Sequence, residues 1–118
     1  VGAILSGSNR AAVARNDGLG GLPAPATYTT GSFPSALDFG DLNGDGMFDL
    51  ATSSFSGGQY RMYLNDGSGS FVTPFNLSTP QSQAASCTVL HDIDNDGDVD
   101  ISAIDELADR VFIFRQNG

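Results

Sequence analysis

The chain reads as an all-β protein built from short, four-stranded antiparallel sheets that repeat. Three observations predict this. A nine-residue acidic pattern occurs twice, as Asp41-Leu42-Asn43-Gly44-Asp45-Gly46-Met47-Phe48-Asp49 and as Asp92-Ile93-Asp94-Asn95-Asp96-Gly97-Asp98-Val99-Asp100. Short or alternating apolar runs follow one another between glycine-bearing turns. No segment shows sustained helical periodicity, apart from a weak stretch at residues 104–108. The two acidic copies lie about fifty residues apart, the spacing of a repeated supersecondary unit.

Taken in order, residues 1–5 form a strand, Gly7-Ser8-Asn9 a turn, and residues 11–15 a second strand leading to Asn16-Asp17-Gly18 and an extended segment at 23–30. Residues 35–40 precede the first acidic loop and 49–52 follow it. After the turn at Ser56-Gly57-Gly58, residues 59–64 alternate, with Tyr60, Met62 and Leu64 on one side and Arg61 and Tyr63 on the other. Asn65-Asp66-Gly67 leads into 71–78. The pattern returns as 86–91, 101–104, a turn at 105–109, 110–115 and Asn117-Gly118. With the strand before the loop named A and the next three B, C and D, the chain runs B-C-D, A-B-C-D, A-B-C. The Asn-Asp-Gly turns predict type I′ hairpins, which need residues tolerant of positive φ. Their glycines belong to hairpins and not to a phosphate cradle, because neither stretch runs from strand into helix.

Four short strands per unit predict propeller blades, about two and a half of them: a partial blade at 1–30, a complete one at 31–80 and a partial one at 81–118. A single blade cannot bury both faces. The chain is therefore expected to be a segment of a larger propeller or a self-assembling repeat array that closes a ring or extends a filament. Its start at Val1, without a leader, is expected to mark a processed product or a piece of something longer, and the repeat phase favours the piece.

The net charge is −9, from fourteen acids against five arginines and no lysine, which argues against nucleic acid or an anionic membrane as partner. No apolar run approaches the length of a membrane span, so no membrane insertion is expected. Eight of the acids lie inside the two loops, which makes most of the acidity metal chemistry. The single cysteine, Cys87, is expected to be a small buried apolar side chain without a disulfide.

In each loop, oxygen-bearing side chains at positions 1, 3, 5 and 9 and a backbone carbonyl at position 7 can wrap one hard cation, with glycine at position 6 turning the backbone sharply. Calcium is the expected ion, at two sites. The carbonyls are those of Met47 and Asp98. An EF-hand is excluded by Thr52 and Ala103 at position 12 and by β flanks. With four aspartates against three plus Asn43, the second loop is expected to bind more tightly. His91 adjoins the loop without a nucleophile and reads as structural or solvent-facing. Tyr28, Tyr60 and Tyr63 are expected to pack between blades, and Asp105, Glu106 and Asp109 to lie in a solvated turn. Asn76-Leu77-Ser78 fits a glycosylation sequon. No nucleophile, acid–base pair or open metal position is visible, so no enzyme is expected.

The stretches Phe39-Gly40-Asp41-Leu42-Asn43-Gly44-Asp45-Gly46-Met47-Phe48-Asp49-Leu50-Ala51 and Tyr63-Leu64-Asn65-Asp66-Gly67-Ser68-Gly69-Ser70-Phe71 resemble the FG-GAP or VCBS repeats of integrin-like β-propellers. That resemblance implies Ca²⁺ between the first two strands of a blade, held by Asp41, Asn43, Asp45 and Asp49 and by Asp92, Asp94, Asp96 and Asp100. The second copy departs from the pattern with Leu90-His91 where Phe-Gly is usual. The implied function is a non-enzymatic, calcium-stabilised module of an extracellular or cell-surface adhesion, matrix or assembly protein. Its expected partners are a protein or glycan ligand on the propeller surface, and further blades or identical subunits. The alternatives are a lectin-like carbohydrate-binding propeller and the accessory domain of a secreted polysaccharide-active enzyme.

Overall fold

The computed structural model describes residues 1–77 and 79–117. Among them, ten strands form three antiparallel sheets. The first holds β1 (Gly2–Leu5), β2 (Arg10–Val13) and β3 (Ala26–Thr29). The second holds β4 (Ser32–Gly40), β5 (Asp49–Ser56), β6 (Gln59–Asn65) and β7 (Phe71–Asn76). The third holds β8 (Ala85–His91), β9 (Asp100–Asp105) and β10 (Arg110–Phe114). In every sheet the strands lie side by side in chain order, so the three are propeller-like blades of the B-C-D, A-B-C-D and A-B-C kind, and they do not close a ring.

Local chemistry explains where the strands depart from expectation. β3 starts at Ala26 and not at residue 23, because Pro23 and Pro25 have no amide to give a ladder. The weak helical stretch at 104–108 is the end of β9 and a turn; among the described residues the helical ones are a 3-10 turn at Ser6–Ser8, ending at Asn9 with φ 54°. Nor are the Asn-Asp-Gly turns type I′: Gly18 and Gly67 have positive φ, and the Asn and Asp before them do not. Instead the Asp17 carboxylate accepts the amides of Leu19 and Gly21, both at 2.8 Å, and Asp66 accepts those of Ser68 (2.9 Å) and Ser70 (3.3 Å). A side chain that closes the turn removes the need for two left-handed residues. Ser78, the third residue of the sequon and the end of the last expected D strand, and Gly118 of the terminal Asn-Gly lie outside the described residues.

Strand alternation sends the two faces of the central sheet to different neighbours. Phe39, Leu50 and Tyr63 are cross-strand partners and pack with Ala11, Val13 and Tyr28 of the first sheet. Ala51 and Met62, one residue along on the same strands, point the other way with Tyr60, onto Ala85, Ile101 and Ala103 of the third. Burying Leu50, Tyr60 and Met62 completely contributes about 1.5–3 kcal/mol each. Alanines between the sheets allow a close approach. At Gly40, where the A strand crosses the third sheet, a Cβ would stand 3.0 Å from the Leu90 Cβ. The tyrosines do pack between blades: the Tyr28 ring centroid lies 5.8 Å from Tyr63 and 5.2 Å from Phe71, and Tyr60 lies 6.4 Å from Phe112. Cys87 is half-buried, not buried, because among the described residues no sheet covers its side of the third sheet.

Polar contacts also cross between sheets. Asp38 Oδ2 accepts the Leu90 amide at 2.8 Å, and Ser35 Oγ donates to the Ala85 carbonyl at 2.7 Å. Asp105 corrects the solvated-turn expectation, since it is fully buried while Glu106 and Asp109 are exposed. Its Oδ2 accepts from Ser82 Oγ (2.7 Å) and from the amides of Gln83 and Ala84, and its Oδ1 from Leu107 (3.2 Å) and Ala108 (2.9 Å). One carboxylate thereby ties the segment entering β8 to the turn leaving β9. Burial pushes Asp105 up, but the Ser82 hydroxyl and the amides outweigh it and bring it down to about 2. Tyr60 is pushed up to about 12 by burial and then by the Asp105 charge.

Replacing Asp105 with Ala orphans several buried donors and is expected to cost at least about 3 kcal/mol in denaturant unfolding at pH 7. Because the folded pKa lies below the unfolded value, this stabilisation is complete above about pH 4 and is lost as pH falls through about 2. The gap between wild type and Asp105→Ala should therefore narrow across that window. A gap that stays constant from pH 7 to pH 2 contradicts the assignment.

Candidate metal centre

Each acidic loop joins the A and B strands of a sheet, between β4 and β5 and between β8 and β9. Both flanks are strands, as expected. Each loop turns on its position-6 glycine, at φ 83° for Gly46 and 99° for Gly97; both Cβ directions are open, so conformation and not space demands glycine.

Position 1 organises the loop. Asp41 Oδ1 accepts the amides of Gly44 (2.8 Å) and Asp45 (3.1 Å), and its Oδ2 accepts that of Gly46 (2.7 Å). Asp92 repeats this, with Oδ1 on the Asp96 amide (3.2 Å) and Oδ2 on Gly97 (3.0 Å). Position 5 then caps position 7: Asp45 Oδ1 accepts the Met47 amide at 2.8 Å and Asp96 Oδ1 the Asp98 amide at 3.0 Å. In the first loop Asn43 also donates to Asp45 Oδ2 at 3.0 Å.

Position 9 holds the loop to the sheet. Asp49 and Asp100 are buried. Asp49 Oδ2 accepts the Leu42 amide (2.8 Å) and Oδ1 the Asn65 amide (2.7 Å), while Asp100 accepts those of Ile93 (3.0 Å) and Gln116 (2.9 Å) in the same way. Each carboxylate therefore ties the start of its loop to the end of strand C. Asn65 adds a bond from Nδ2 to the Phe48 carbonyl at 3.0 Å, which joins the Asn-Asp-Gly turn to the acidic loop.

In the second loop, single carboxylate oxygens of Asp92, Asp94 and Asp100 lie within 4.8 Å of one another. Two oxygens on one divalent ion of calcium's size are at most about 4.6–5.2 Å apart, so this trio could hold a metal ion. Among the described residues it is the one carboxylate, imidazole or thiol trio that meets this distance. The acids of the first loop are not drawn together in that way, and Asn43 supplies its position 3. Asp96 lies outside the trio.

The two position-9 carboxylates sit in different fields. Burial, with the charges of Asp45 and Asp41 adding to it, raises Asp49 above the ordinary carboxylate value in spite of its two amides. The amides of Ile93 and Gln116, followed by the charges of Arg115 and His91, lower Asp100. Arg115 reaches the loop itself, with Nη1 3.3 Å from Asp94 Oδ2. His91 is exposed and its Nε2 lies 2.8 Å from Ser102 Oγ. Sequence reasoning missed Arg115, Asp38 and Asp105. At the corresponding places fifty-one residues away stand Leu64, Val89 and Ser54, so the internal repeat carries no signal for any of them.

In metal-free buffer, Asp49→Asn should destabilise the fold by about 2–3 kcal/mol, because Asn presents an NH₂ where a buried amide expects an acceptor. The exposed Asp45→Asn should cost under about 0.5 kcal/mol there. Equal effects in unfolding measurements with chelator would reject a structural role for position 9.

The profile of the FG-GAP-like repeat matches residues 2–52 and 49–103. Comparisons with curated proteins and with solved structures find no match. Both matched stretches begin at or near strand B of one sheet and end inside strand B of the next, so each covers strands B, C and D, the following strand A and its loop. FG-GAP-like repeats are non-catalytic repeats. Together the two matches span most of the sequence: the chain belongs to the FG-GAP-like repeat family.

Proposed function

We propose that the chain is a calcium-stabilised, non-enzymatic β-propeller module of an extracellular or cell-surface adhesion, matrix or assembly protein, with one Ca²⁺ in each A-B loop. The convergence of Asp92, Asp94 and Asp100 on a calcium-sized space, in a loop that the family match covers, carries this reading. The ligands are the carboxylates or carboxamide of Asp41, Asn43, Asp45 and Asp49 and of Asp92, Asp94, Asp96 and Asp100, with the Met47 and Asp98 carbonyls at position 7. The ion would neutralise carboxylates that otherwise repel across a few ångströms, and so fix an exposed corner. Millimolar calcium outside cells suits loops of the modest affinity found in extracellular modules. Family membership favours that compartment, and no helix among the described residues is long and apolar enough to cross a membrane.

The open side of the third sheet supports contact with further blades or identical subunits. Val89, Ile104, Val111 and Ile113 stand exposed there, at the places where the central sheet uses Asp38, Ser53, Tyr60 and Met62 to meet its neighbour. A second reading, glycan binding, is favoured by a groove of about 400 Å³ between the first two sheets, where Phe39, Phe48 and Phe71 lie beside Arg15 and Asn16. A glycan array probed with calcium-loaded protein separates a carbohydrate ligand from a protein one.

With Kd values of about 10⁻⁴–10⁻³ M, 1 mM Ca²⁺ should stabilise the fold by roughly 0.4–1.4 kcal/mol per site, reversed by chelator. Unfolding curves that do not move between chelator and 10 mM Ca²⁺, with no heat of binding by calorimetry, would reject the calcium role.

A further inference from the structure

The two loops share the residues at positions 1, 5, 6 and 9, and the second carries two further carboxylates, Asp94 at position 3 and Asp98 at position 7 where the first has Asn43 and Met47. Near the end of strand C the first has Leu64, and just past it the second has Arg115; these correspond because the next residues, Asn65 and Gln116, give the matching amides to Asp49 and Asp100. The carboxylate gained at the side-chain ligand positions and the arginine touch, with Arg115 Nη1 3.3 Å from Asp94 Oδ2. Where position 3 is neutral, the strand end is apolar; where position 3 is charged, the strand end carries the opposite charge. A guanidinium stays charged at all relevant pH, so this pairing is permanent until another cation replaces it.

We propose that Arg115 is a resident counter-charge which a divalent cation must displace from Asp94, and that it thereby sets the affinity and salt dependence of the second loop. This rests on the calcium role proposed above. Counting carboxylates puts the second loop ahead of the first; Arg115 removes that lead. The guanidinium opposes the ion in two ways, by holding one oxygen of the Asp94 carboxylate and by repelling a second positive charge at close range. Its side chain is 60% exposed, so removing it leaves the packing intact and salt weakens its effect.

The test is a calcium titration followed at the amide resonances of Gly46 and Gly97, which report on the two loops separately in one intact chain. In Arg115→Leu, which copies the first repeat, the Gly97 midpoint should fall about tenfold at low salt while the Gly46 midpoint stays put. Arg115→Lys should retain most of the wild-type midpoint, and added salt should shrink the difference between Arg115→Leu and wild type. Gly97 titrating at the same midpoint in wild type and Arg115→Leu overturns the role of Arg115 and leaves the calcium role standing. If neither glycine responds to calcium in either protein, the calcium role fails and this inference falls with it.

Discussion

The repeat depends on a buried carboxylate that accepts two backbone amides from segments far apart in sequence. Asp49 takes Leu42 and Asn65, and Asp100 takes Ile93 and Gln116. Those bonds fix where the loop leaves strand A, where strand B starts and where strand C ends. Amide bonds to an ionised acceptor are among the stronger ones in a protein, and burial makes each one costly to lose. The last acid of the loop is thus a structural member of the sheet before any ion is considered. The residues at positions 1, 3 and 5 differ: they sit at the rim, half-buried at Asp41 and exposed at the others, and arrange the loop itself.

Much of the architecture was legible because it depends on periodicity. Alternation at residues 59–64 put Tyr60 and Met62 on one side and Tyr63 on the other, and those sides meet different sheets. The recurrence of the acidic loop set the strand order, since whatever follows a repeated motif repeats with it. What stayed hidden depends on single side chains. Asp105 looked like one more acid in a polar turn, and only the approach of residues 82–84 makes it a buried acceptor. The Asn-Asp-Gly turns carried a true hairpin signal and a wrong turn type, because an Asp carboxylate competes with backbone geometry for the same amides. Of the expected metal ligands, position 1 and the glycine follow the repeat in both loops, yet only the second brings three carboxylates together, at positions 1, 3 and 9, with Asp96 left outside.

The matched family unit is out of step with the sheet, and this has a physical consequence. Each unit supplies three strands to one sheet and the first strand to the next, so the chain crosses every boundary between sheets inside a unit. The crossing segment at 82–84 is pinned by Asp105, and the strand that follows is pinned by Asp38 and Ser35 of the previous sheet. Stacking is therefore enforced by covalent connection and buried polar contacts as well as by apolar packing. That matters where the interface is built on alanines, whose burial contributes little per residue.

On the calcium reading, stability and cation binding are separable along the same nine residues. The sheet keeps its register through position 9 with amides alone, whereas the rim has carboxylates whose mutual repulsion only a cation can relieve. The first loop limits that repulsion with a neutral Asn43, and the second offsets it with Arg115. On the calcium reading, both are ways for a thin blade to tolerate an empty site: removing the ion loosens a corner and leaves the strands paired. A loop with five aspartates and no internal cation would have no such tolerance, since its rim would be held only as long as calcium was present.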